Sequence, residues 1–186
     1  SINLLKKNDM RKTVLTYGLI SGAFFALVLF GTSLLLKTEN FEASEWLGYS
    51  TMVVAFIFVY MAMISYKKHI GNGYISFGRS MGVGLLVVLV SSLCYVAAWL
   101  IIYYTVIPDF MDRYSTCVMD KMQHSGKSAA EIKAQMKNIE MMKDIYKTPL
   151  GIAGITFLEP LPVGIIVTLI SAIILKIQGR KKTSAT

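Results

Sequence analysis

The stretch Phe157-Leu-Glu-Pro-Leu-Pro-Val-Gly164 decides how this chain is interpreted. It lies inside the last long apolar run, which covers about residues 150–175 and contains one charged residue, Glu159. Pro160 follows directly and Pro162 comes two residues later. A carboxylate inside a segment that crosses hydrocarbon is unfavourable, and where one occurs it usually marks a functional site. Glu159, Pro160 and Pro162 therefore form a candidate intramembrane polar site.

The two prolines predict a broken or kinked helix. Pro160 and Pro162 have no N–H, so the carbonyls of Thr156 and Leu158 lose their helical donors and need protein or water instead. A structural interpretation is also open. If a helix restarts at Glu159, both prolines lie in its first turn and the carboxylate faces the positive end of the helix dipole. The sequence leaves a structural helix start and an ion- or substrate-coupled role as alternatives.

Composition places the rest of the chain in a membrane. Of its 186 residues, 54% are hydrophobic. Three further apolar runs cover about residues 13–36, 46–66 and 81–107, each close to or above the roughly 20 residues that span a bilayer. The sequence predicts an all-α, four-transmembrane-helix bundle as a single integral membrane domain over residues 1–186, with residues 1–9 as an optional extension.

The distribution of the net charge of +8 predicts an orientation rather than nucleic-acid binding. Four spans place both termini on one side, where eleven lysines and arginines flank the apolar runs. The connection at residues 37–45 has only Lys37. By the positive-inside rule, we expect both termini in the cytoplasm. The sequence does not predict a disulfide framework, because Cys94 lies within a span and Cys117 lies outside the spans.

Two short features predict contacts of the spans. Gly18 and Gly22 have GxxxG spacing, which lets helix backbones approach closely, either within this chain or in a dimer. Lys67, Lys68 and Arg79 flank a glycine-containing turn and are candidate contacts to anionic lipid headgroups.

Residues 108–148 predict an extracytoplasmic amphipathic helical hairpin between the third and fourth spans. Ser125-Gly126 is a helix stop, and Ser128 with Glu131 has the spacing of a capping box. From there a helix is expected to run to about Lys147. An apolar stripe at helical spacing follows the box: Ile132, Met136, Ile139, Met142 and Tyr146.

Six of the eleven methionines lie in this insertion. Met136, Met142 and Tyr146 are the candidate partner surface, because methionine adapts to varied binding surfaces. Packing of the hairpin against itself and the membrane domain is the competing interpretation. A Cu(I) site using Cys117 and His124 is the third, although the spacing matches no compact ligand motif.

The sequence contains no phosphate-binding glycine loop, zinc-ligand spacing or nucleophile with a matching base, so we expect no enzyme activity and no cofactor. The function predicted first is a non-catalytic accessory or scaffolding subunit with a protein partner, or a homo-oligomer, in the membrane. The alternative is a small transporter or ion-conducting protein that uses Glu159.

The order of several short motifs resembles an uncharacterised family of small four-helix bacterial inner membrane proteins found in Bacteroidota. Its motifs are Ile75-Ser-Phe-Gly78, Tyr103-Tyr104, Pro108-Asp-Phe110, Ser125-Gly126, Tyr146 with Pro149, and Glu159 with Pro162-Val-Gly164. The resemblance covers about residues 10–182. It implies a bacterial inner membrane location and no assigned activity. Pro160 is the residue that stands apart from the motifs of this resemblance.

Overall fold

The computed structural model describes residues 2–36, 41–126 and 128–183, and these ranges contain helices and turns but no strand. Eight helices follow one another in the order α1 Ile2–Leu36, α2 Phe41–Ala55, α3 Ile57–His69, α4 Phe77–Thr105, α5 Phe110–His124, α6 Ala129–Ile145, α7 Pro149–Leu158 and α8 Leu161–Thr183. The expected optional extension at residues 1–9 falls largely within α1.

Within the described residues, four segments are long and apolar enough to cross a membrane, as expected for a multi-pass membrane protein. They are Asn8–Leu34, Trp46–His69, Phe77–Thr105 and Pro149–Gly179. The first and third are continuous in α1 and α4, whereas the second consists of α2 and α3 and the fourth of α7 and α8.

The predicted starts of the third and second spans can be compared with the structure. The third span begins at Phe77 rather than near residue 81, because Ser76 caps α4 by accepting a hydrogen bond from the Arg79 N–H. The second span begins at Trp46, as predicted, although helix α2 itself begins earlier, at Phe41. Residues 37–40 lie outside the described part of the chain.

Helix α4 lies at the centre of the fold and packs against α1, α3, α7 and α8. Its contact with α1 is close because Gly18 and Gly22 face Val90 and Cys94: a Cβ on Gly22 would lie 2.5 Å from the Cys94 Cβ. The Ser91 hydroxyl donates to the Gly18 carbonyl at 3.3 Å. The GxxxG spacing therefore serves packing within the chain, which was one of the two alternatives.

Helices α5 and α6, together called the helix pair below, lie outside the four spans and contact each other. Lys143 Nζ of α6 donates to Asp112 Oδ1 of α5 at 2.9 Å. The start of α6 confirms the capping box: the Ser128 N–H donates to Glu131 Oε2 at 2.9 Å, and the Glu131 N–H donates back to Ser128 Oγ at 3.4 Å. The helix stop is also confirmed, since α5 ends at His124 and Gly126 has a φ of 65°.

An aromatic cluster joins the helix pair to the spans. The rings of Trp99 and Phe110 have centroids 5.0 Å apart and meet edge to face. Tyr146, directly after α6, lies 5.5 Å from Tyr103 between ring centroids. Both cysteines, Cys94 and Cys117, are free thiols, consistent with the absence of a disulfide framework from the sequence pattern.

Candidate functional site

The fourth span is interrupted at Glu159, as the prolines predicted. Thr148 caps α7 by accepting the Gly151 N–H at 3.0 Å, and α7 ends at Leu158. Helix α8 begins at Leu161, so Pro162 lies in its first turn, where a missing N–H leaves no helical hydrogen bond unmade. The first turn closes with the Gly164 N–H donating to the Pro160 carbonyl at 2.9 Å.

The Glu159 carboxylate contacts the central helix. The Tyr95 hydroxyl of α4 donates to Glu159 Oε2 at 3.0 Å. Tyr95 is 8% exposed, whereas Glu159 itself remains exposed on the side away from α4. The Glu159 carboxylate is therefore an exposed group that accepts a hydrogen bond from a buried neutral donor.

Apolar residues follow and precede Glu159 in the chain. Pro160 is buried, whereas Leu158, Ile165 and Ile166 are 61%, 47% and 57% exposed. An ionisable group is uncommon within a segment that is apolar enough to span a membrane. This arrangement marks the Glu159 site as the most unusual chemical feature of the spans.

A second interruption, in the second span, packs near the fourth span, and no local sequence signal predicts it. Phe56 separates α2 from α3 with φ −79° and ψ −2°, and its side chain is fully buried. A Cβ on Gly164 would lie 3.1 Å from the Phe56 Cζ, so the two broken spans meet just after the Glu159 break. Residues 55–57 are Ala-Phe-Ile, with no proline or glycine that predicts a helix interruption.

Tyr146 connects the helix pair to the same region of the spans. Its hydroxyl has hydrogen-bonding partners in Trp99 of α4 and Thr156 of α7. Burial raises the pKa of Tyr146 to about 12, although these two partners oppose the rise. The hydroxyl is therefore protonated at neutral pH and can donate as well as accept. Tyr146, a candidate for the partner surface, is half-buried and directed toward the spans.

The other two candidate partner residues lie on α6. Met136 is 45% exposed and Met142 is half-buried. Met136 lines an open groove of about 460 Å³ between the two helices of the pair. Its apolar wall is formed by Met119, Met136 and Ile139, and its polar rim includes Asp120, Glu140 and Lys143.

The candidate headgroup residues lie together at the opposite end of the spans. Lys67 and Lys68 are in the last turn of α3, and Arg79 is in the first turn of α4. Lys67 is half-buried, while Lys68 and Arg79 are exposed. Lys176 of α8 approaches the same end, with its Nζ 5.6 Å from the centroid of the Phe77 ring.

The donor sets within the described residues limit the chemistry. Among residues 2–36, 41–126 and 128–183, no three His, Cys, Asp or Glu side chains lie close enough to hold a metal ion. The Glu159 site offers one carboxylate and a phenolic hydroxyl, which can exchange a proton or pair with a cationic group. Nothing in this arrangement resembles a nucleophile with its base.

Of the comparisons with known proteins, only the one with protein families finds a match. No curated protein and no solved structure matches the chain. The family described as "Protein of unknown function (DUF4199)" matches residues 16–176, which include the second and third spans, the helix pair and most of the first and fourth spans. This match confirms the resemblance to an uncharacterised family, and the chain belongs to the DUF4199 family.

Proposed function

We propose that this protein is a non-catalytic accessory or scaffolding subunit of a larger assembly in the bacterial inner membrane. In this proposal the helix pair is a helical hairpin on the extracytoplasmic side, and the groove between its two helices receives a protein partner. The single observation that carries the proposal is the open, methionine-lined groove outside the spans.

The composition of the groove supports this role. Met119 and Met136 provide flexible, polarisable contacts that adapt to a partner's shape. The pair is anchored to the spans through Phe110 and Tyr146, so a bound partner would be held at a fixed distance from the membrane. A rigidly anchored, adaptable surface is suited to binding another protein rather than to catalysis.

Purification in a mild detergent after crosslinking in intact cells tests the proposal. We expect a stoichiometric partner or a stable oligomer with the native chain, and its loss with Met136→Ser. Met141→Ser is the matched control, because Met141 is also exposed on α6, at 55%, and does not line the groove. A monodisperse monomer from the native chain, or equal effects of the two substitutions, would contradict the proposal.

The orientation is tested by cysteine labelling. Ser125→Cys, in a chain lacking Cys94 and Cys117, should react with a membrane-impermeant thiol reagent on intact spheroplasts. Tyr74→Cys, in the exposed turn at the other end of the spans, should react only after permeabilisation. The reverse pattern would place the termini outside the cytoplasm and overturn the proposed topology.

A second candidate function is transport or ion conduction through the Glu159 site. The observation that favours it is the contact between two interrupted spans at Phe56 and Gly164, since paired broken helices form the substrate sites of many transporters. Flux into proteoliposomes should then be present with the native chain and lost with Glu159→Gln. Glu140→Gln is the control, because Glu140 lies outside the spans. Absence of flux with every ion tested would leave the accessory role.

A further inference from the structure

The charge at one end of the spans is strongly unbalanced. Eleven lysines and arginines lie in residues 1–12, 67–80 and 176–186, whereas Asp9 is the single acidic residue in these ranges. Six of these cations are described together with their side chains, and we call them the cationic end: Arg11, Lys12, Lys67, Lys68, Arg79 and Lys176. Lys67 is half-buried and the other five are exposed.

Helix direction brings these six cations to the same end of the bundle. Helix α1 runs parallel to α4, because its two glycine contacts follow in the same order along both helices. The short turn at residues 70–76 joins the end of α3 to the start of α4. Lys176, near the end of α8, has its Nζ 5.6 Å from the centroid of the Phe77 ring, which opens α4.

The charges at the other end of the molecule are paired within the chain, whereas those of the cationic end are not. Lys143 pairs with Asp112 at 2.9 Å, and Lys147 pairs with Asp144 at 2.7 Å. Among the residues that the structure describes, no side chain of the cationic end forms an ion pair with a carboxylate. A cluster of like charges that the chain itself does not neutralise attracts anions.

The six cations lie at the depth of lipid headgroups. Each is within four residues of an end of one of the four spans, which is about 6 Å of helix. The spans have 24 to 31 residues, so they are about 36–46 Å long, against a hydrocarbon thickness of about 30 Å. Their ends therefore reach the headgroup region.

Exposed apolar side chains lie beside the cations. On α8, Ile173, Ile174 and Ile177 adjoin Lys176 in the chain, and all three are exposed. The Phe77 ring, which the Lys176 ammonium approaches, is also exposed. A ligand that matches both kinds of surface has an anionic group joined directly to hydrocarbon.

We propose that the cationic end is a binding site for anionic phospholipid. The lysines and arginines hold the lipid phosphate, and the acyl chains lie along the exposed isoleucines of α8. Lipids with a net negative charge are selected, because the ammonium of a zwitterionic headgroup is repelled by the same cations. A soluble anion such as inorganic phosphate meets only the charged part of this site. The inference is independent of the groove in the helix pair.

Fluorescence quenching by brominated lipids tests the proposal. In a chain lacking Cys94 and Cys117, a fluorophore is attached at Gln178→Cys, beside the cationic end. The matched probe is at Leu150→Cys, because both positions are exposed and each is one residue from an end of the span Pro149–Gly179. The vesicles are phosphatidylcholine with a minor fraction of brominated phosphatidylglycerol or brominated phosphatidylcholine.

The expected result is a lipid preference at one probe only. At Gln178, brominated phosphatidylglycerol should associate at least about threefold more strongly than brominated phosphatidylcholine. At Leu150 the two lipids should quench equally. Equal quenching by the two lipids at Gln178, or the same preference at both probes, would overturn the proposal.

Substitutions show whether the cations cause the preference. It should disappear when four of them are replaced by glutamine: Lys67, Lys68, Arg79 and Lys176. Replacing the three lysines of this set by arginine should retain it, which separates lost charge from misfolding. Lys133→Gln with Lys137→Gln, at exposed positions of α6 outside the spans, is the control and should leave the preference unchanged.

Competition identifies the source of the phosphate group. Millimolar inorganic phosphate, added at constant ionic strength, should not displace brominated phosphatidylglycerol from the Gln178 probe. Displacement would identify a soluble anion as the ligand and would overturn the proposal, as would a preference that survives replacement of the four cations by glutamine.

Discussion

The central helix α4 contacts two of its neighbouring spans, the first and the fourth, in different ways. Against α1, the contact uses Gly18 and Gly22, both helices are continuous, and a side-chain hydroxyl bonds to backbone. Against the fourth span, α4 meets an interrupted helix and donates from Tyr95 to a carboxylate. The first contact needs only close packing. The second keeps a carboxylate within an apolar span, so it holds a polar group that close packing does not require.

The largest expected effect tests the contact between α1 and α4. Gly22→Val places its Cβ about where the Cys94 side chain lies, so α1 and α4 must separate. Overpacking of this kind destabilises by about 3 kcal/mol at the upper end of its usual range. Thermal unfolding in detergent measures it.

Gly31→Val is the control for this prediction, because nothing lies within 4 Å of a Cβ at Gly31. It should unfold close to the temperature of the native chain. Equal unfolding temperatures for the two variants would show that α1 and α4 do not rely on close backbone approach.

The next effect tests the contact between α4 and the fourth span. Glu159→Leu removes the acceptor of the buried Tyr95 hydroxyl, and an unsatisfied donor costs about 1–3 kcal/mol. Glu159→Gln keeps a carbonyl oxygen as acceptor and should unfold near the native temperature. The measurement is again thermal unfolding in detergent. If both variants are equally stable, the Tyr95 contact contributes nothing and the contrast between the two sides of α4 disappears.

A smaller loss of stability is expected at the start of α6, outside the spans. Ser128→Ala removes the capping oxygen that the Glu131 N–H reaches, which should cost about 1 kcal/mol of local stability in α6. Hydrogen exchange should show faster exchange in the first turns of α6 and no change in the spans. Asn138→Ala, in the middle of the same helix, is the control and should not weaken protection. Fast, unprotected amide exchange across residues 129–145 in the native chain would contradict the helix.

The smallest effect concerns the contact between the helices of the pair. Lys143→Met removes the ion pair with Asp112, whose side chains are 39% and 81% exposed. Exposed pairs contribute about 0–1 kcal/mol, so we expect a change near 0.5 kcal/mol or less that shrinks further in high salt. Urea unfolding monitored at the helix pair can detect it. A large, salt-independent loss would mean that this pair organises α5 and α6 more strongly than its exposure implies.

Local sequence signals predicted much of this molecule. The four spans follow from apolar length, and the break at Glu159 follows from two prolines that lack N–H groups. The start of α6 follows from Ser128 and Glu131, since this capping box acts within one helical turn. Each of these features depends on residues within a few positions of one another, which is why the sequence alone determined them.

Tertiary structure decided which residues meet. The break at Phe56 has no local signal, and the Phe56 ring packs near Gly164, which is more than 100 residues away in the chain. The choice of Tyr95 as the donor to Glu159, among several hydroxyls at similar depth, depends on the register between α4 and the fourth span. The inward direction of Tyr146 depends likewise on Trp99 and Thr156. Hydrophobic length and helix caps are properties of a segment, whereas side-chain partners and uncovered faces arise only when the helices pack.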